Sequence, residues 1–78
     1  MTKRETIMKA IESNEIKYKA HDKAIRDINW DLEWKELDSE VAEILKEELK
    51  SHMEARKNIG QHLNNLWTEI AALNAEEN

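Results

Sequence analysis

The chain has 78 residues, no cysteine, no proline, a single glycine, 37% charged residues and a net charge of -5 at pH 7. No disulfide framework, thiolate metal site or thiol nucleophile is therefore available, and a small domain without such a staple is expected inside the cell, in the cytoplasm. The longest apolar run, Ile70, Ala71, Ala72 and Leu73, is far short of the roughly 20 residues of a membrane span, so no membrane association is expected. A domain this small buries only about 60% of the surface its unfolded chain exposes. A single domain over residues 1–78, stabilised by association into a homodimer, is the expected organisation.

Thr2, with Glu5 three residues later, makes a capping box that opens a first helix. Apolar spacing then steps by four and three through Ile7, Ile11, Asn14, Tyr18, His21, Ile25, Ile28 and Leu32, an unbroken heptad seam. This predicts a helix over about 3–36. Asp38 or Ser39, followed by Glu40 and Glu43, suits the start of a second helix. The same stepping resumes through Leu45, Leu49, His52, Arg56, Ile59, Leu63, Leu66, Ile70 and Leu73, predicting a helix over about 39–75.

Folding the two antiparallel about a turn near 36–39 pairs the seams at a constant index sum of 77, from Ile7 with Ile70 to Leu32 with Leu45. One register satisfies every layer, which favours an all-α helical hairpin over one continuous helix. A three-helix arrangement, broken near 13–14 by Ser13 and Asn14 or near 58–60 by Gly60, is the alternative. One two-helix seam leaves apolar residues over. Trp30, Trp34, Leu37, Val41 and Ile44 bracket the turn, and Met8, Ala10, Trp67 and Ala71 lie at the open end, where Trp67 is expected to meet Ala10. A second copy completing a four-helix bundle or coiled coil, or a different protein, would cover them.

His21 and His52 fall in adjacent layers, with Arg56 opposite His21. The residues three before the histidines are Tyr18, Leu49 and Ile59, so the Glu-x-x-His of di-iron bundles is missing, and no two histidines are four apart as on zinc-binding helices. The expectation is a polar core layer of His21, His52 and Arg56 that fixes register and titrates near neutral pH, with no metal and no cofactor. No catalytic residues are assigned: Ser13, Ser39 and Ser51 lie on helical surfaces without a base or a pocket, and one glycine cannot build a phosphate loop.

Residues 1–28 carry seven Lys and Arg against five acids, residues 29–49 two against eight, and residues 50–78 three against four. Lys9, Lys17, Lys19, Lys23 and Arg26 are the only basic candidates for nucleic acid, and Glu12, Glu15, Asp22 and Asp27 interrupt them. The layout is similar to that of the Rop-type plasmid RNA-binding proteins, dimers of helical hairpins with an acidic turn. No diagnostic motif is shared, so the resemblance concerns architecture, and RNA binding stands as an alternative only.

The acidic middle holds the most specific feature, Trp30, Asp31, Leu32, Glu33, Trp34, Lys35, Glu36, Leu37 and Asp38. Trp30, Trp34 and Leu37 are expected to anchor a contact, with Val41 beside them, and Asp31, Glu33, Glu36 and Asp38 to steer it towards a basic, partly apolar protein surface. The expected function is a non-catalytic regulator, inhibitor or adaptor. In type it resembles phage-encoded inhibitors of host enzymes or defence systems, which would place it in the host cytoplasm. Self-assembly into a structural protein is the competing expectation, with the Trp pair consumed in the oligomer.

Overall fold

A computed structural model describes residues 2–77. It contains two helices, α1 (Lys3–Trp34) and α2 (Ser39–Glu77), folded back on each other into a rod of 59 × 17 × 16 Å. At about 1.5 Å per residue α2 alone accounts for the long dimension. Both helices are continuous, so the three-helix alternative does not apply. Asn14 is accommodated because its Nδ2 donates to the Ala10 carbonyl one turn back, at 2.7 Å. Gly60 has no positive φ and lies within α2.

The Thr2 hydroxyl accepts a hydrogen bond from the Glu5 amide at 3.2 Å, and the Thr2 carbonyl accepts the first helical bond from Thr6 N at 3.1 Å. This satisfies donors that an uncapped first turn would leave exposed. At the other end of α1, among the described residues, no positive-φ position is available for a left-handed cap. Lys35 instead turns extended, with φ -100 and ψ 144, while its amide still donates to the Asp31 carbonyl at 3.1 Å. Its ammonium reaches the Asp31 carboxylate at 3.0 Å. The helix thus ends two residues before the expected Glu36, and Leu37 falls in the connection, half-buried. The Asp38 carbonyl takes the first bond of α2, from Ala42 N at 2.9 Å. α2 runs on past residue 75 because Ala75 and Glu76 are good helix formers and no breaker follows them.

Every residue of both heptad seams is buried or half-buried. The core is apolar at its two ends and polar between them. At the open end Ile7, Ile11, Leu66 and Ile70 form one cluster, with Ala10, Leu63 and Leu73 packed against it. Towards the turn Ile25 and Ile28 are buried. The cluster realises the index sum of 77, and Tyr18 against Gly60 lies within one residue of it. No described helix is long and apolar enough to cross a membrane.

Because Ile11 is 2% exposed and Ile16 is 64% exposed, the two should respond oppositely to truncation. Ile11→Ala is expected to cost about 2–5 kcal/mol, and Ile16→Ala to stay within about 0.5 kcal/mol of the parent. Urea unfolding followed by circular dichroism at matched protein concentration checks both.

Candidate interaction surface and polar layer

Heptad geometry places Trp30 and Trp34 on the side of α1 turned away from the seam, because each is at least two positions from a seam residue and they are one helical turn apart. Their exposures, 61% and 65%, agree with that placement. The two indoles rest on each other, with ring centroids 5.6 Å apart and planes tilted by 39°. The pair presents a continuous aromatic surface to solvent.

Around this pair, Glu33, Glu36 and Asp38 are exposed, while Asp31 is half-buried and engaged by Lys35. On α2, at the same end of the rod, Val41 and Ile44 are 42% and 55% exposed. The expected anchors therefore separate in character. Trp30, Trp34, Val41 and Ile44 are open to solvent, whereas Leu37 is partly tucked into the connection and does not extend the helical face of the Trp pair. Lys9, Lys17, Lys19, Lys23 and Arg26 are all exposed, and Arg26 Nε lies 3.6 Å from Asp22 Oδ2.

At the middle of the rod the histidines meet each other directly: His21 Nδ1 and His52 Nδ1 are 2.8 Å apart, with ring centroids at 5.1 Å. Arg56, expected opposite His21, donates to Asp22 Oδ1 at 2.7 Å. A guanidinium and an imidazole are both donors when charged, whereas a carboxylate offers Arg56 a charge-assisted acceptor. Asp22, one residue beyond His21, is the member of the polar layer that sequence reasoning missed. A seam arginine calls for a carboxylate at a flanking position across the hairpin, and Asp22 satisfies that rule at an index sum of 78. His62 is exposed and takes no part. Among the described residues no group of three or more His, Cys, Asp or Glu side chains stands close enough to hold a metal ion.

Trp67 faces a surface hollow of about 440 Å³ lined also by Met8, Ile11, Glu5, Glu12, Glu15 and Lys9. Met8 therefore accompanies it, while Ala10 packs against the buried cluster. Comparison with protein-family models, curated proteins and solved structures gives no match.

A hydrogen bond between two Nδ1 atoms requires one to donate and the other to accept, so the folded contact holds one proton at that position. Losing this bond is expected to remove on the order of 1 kcal/mol, or about 4–8 °C of Tm in a chain this small. A double-mutant cycle between His21→Ala and His52→Ala, followed by thermal unfolding, should return a coupling energy of about that size; two substitutions that simply add would contradict the shared-proton contact.

Proposed function

We propose that the protein is a non-catalytic interaction module that binds a partner protein through the outward Trp30–Trp34 pair of its acidic end, acting as a small regulator, inhibitor or adaptor. The observation that carries this reading is the solvent-exposed pair of indoles in tilted contact on the side of α1 that the hairpin does not use. Large aromatic side chains concentrate binding energy when a partner desolvates them. Glu33, Glu36 and Asp38 supply negative potential around them, which favours a partner surface that is basic and partly apolar and speeds the encounter. Val41 and Ile44 add apolar area at the same end. The cytoplasm, or the host cytoplasm for a phage-encoded chain, is the setting this reading assigns.

A second reading, in which the exposed residues serve self-assembly, draws support from the thin core. Ile11 is the one described side chain that is fully buried. The two readings differ in the state of the indoles. In the partner-binding reading Trp30 and Trp34 stay accessible in the purified protein, and in pure self-assembly they are consumed.

The test compares the wild type with Trp30→Ala, Trp34→Ala. The expected result is an unchanged absolute mass by light scattering and unchanged helicity, together with loss of a retained partner whose association slows as salt is raised. Collapse of the mass on substitution, or indole emission already blue-shifted in Trp67→Phe, where only Trp30 and Trp34 report, would overturn the partner reading in favour of self-assembly.

A further inference from the structure

Gly60 is the only glycine of the chain, and nothing within the hairpin requires it. Its φ is not positive, so the backbone conformation is open to any residue. A Cβ built there would meet Tyr18 Cε2 at 3.5 Å, an ordinary van der Waals contact. Glycine is also among the poorest residues for a helix interior. What its missing side chain provides is space: a surface hollow of about 420 Å³ lined by Tyr18, Met53, Glu54, Arg56, Lys57 and Gly60.

One heptad further along the same helix stands Trp67, 48% exposed. Met53, Gly60 and Trp67 recur every seven residues and share one stripe beside the seam. Hollow and half-exposed indole thus alternate along one face. Their surroundings differ in charge: with Arg56 paired to Asp22, Lys57 and Glu54 leave the rim of the Gly60 hollow close to neutral, whereas Glu5, Glu12 and Glu15 against Lys9 make the rim beside Trp67 acidic.

We propose that the Gly60 hollow receives Trp67 of a second copy of this chain. Two hairpins pack α2 against α2 in opposite directions about a twofold axis passing between Leu63 and Asn64. Such an axis exchanges positions whose numbers sum to 127, so residue 60 of each copy meets residue 67 of the other. The arrangement is isologous, and both insertions form at once. It brings each acidic rim towards Lys57 of the other copy. A parallel arrangement would set indole against indole and hollow against hollow. The occupant is a second copy because the half-exposed indole and the hollow stand seven residues apart on one face of one helix, so that a single twofold axis fills both hollows at once.

The overlap spans residues 50–77 of α2 in each copy, since 50 and 77 are exchanged by the same axis. The turn ends, with Trp30 and Trp34, project beyond it. The proposal therefore stands independently of the partner-binding reading.

Sedimentation equilibrium and light scattering over a range of concentrations test it. The wild type is expected to dimerise; Trp67→Ala, which removes the inserted side chain, and Gly60→Leu, which fills the hollow, are each expected to raise the dimer Kd by about tenfold or more, as loss of a buried aromatic anchor does. Far-UV circular dichroism should show both variants still helical, and Trp30→Ala with Trp34→Ala should leave the Kd unchanged. A variant that keeps the interface intact completes the test: Asn64→Cys, in a chain otherwise free of cysteine, should cross-link to itself through a short bis-maleimide, and Asn58→Cys, on the other side of α2, should not. A wild type monomeric at every concentration reached, a dimer indifferent to both Gly60→Leu and Trp67→Ala, or a dimer lost only when Trp30 and Trp34 are replaced would each overturn the proposal.

Discussion

The structure depends on one constraint: a single register between two heptad seams. Each seam residue of α1 has an assigned neighbour on α2, and the cluster of Ile7, Ile11, Leu66 and Ile70 shows that register directly. A slip by one layer would set Leu66 against Asn14 in one direction, or carry Ile70 past Ile7 to the polar start of α1 in the other. The polar middle reinforces the choice. His21 with His52 and Asp22 with Arg56 can form only where donor and acceptor come into reach, so they add specificity at a point where the apolar packing is thinnest. Because the ion pair is about a third exposed, its contribution lies in geometry more than in energy.

What the seam leaves out decides what the molecule can do. A two-helix rod has one buried line and a large outside, and all three tryptophans fall on the outside. They fall in two distinct places. Trp30 and Trp34 lie against each other at the acidic turn end, the surface proposed to meet a basic, partly apolar protein. Trp67 stands nearer the open end, one heptad from the cavity at Gly60. Separate locations allow separate roles, so the proposed self-association along α2 need not compete with the proposed recognition of a foreign partner at the turn.

The architecture was legible because long-range pairing follows from a local period. Steps of four and three, without a skip, define a helical face, and two such faces of similar length with acids between them define a hairpin. The limits of α1 and of the connection were less legible. No Gly or Pro marks the turn, and the chain leaves the helix at Lys35, so Leu37 sits in the connection instead of extending the Trp face. The polar layer was legible by composition and not by pairing, since His21, Asp22, His52 and Arg56 admit more than one matching. Side-chain reach and charge, which heptad position does not encode, chose between them. Gly60 shows the reverse case. Read as a sequence feature it is a possible helix break, and only the empty space around it reveals a cavity.

The most direct test of the hairpin is the distance between spin labels at Lys9→Cys and Thr68→Cys, two exposed positions whose numbers sum to 77, measured by pulsed electron resonance with an excess of unlabelled chain. An intramolecular hairpin predicts a short distance, an interaxial spacing of about 10 Å plus the label arms. One continuous helix predicts about 90 Å, and that result, or a short distance that vanishes on dilution with unlabelled chain, would contradict the account.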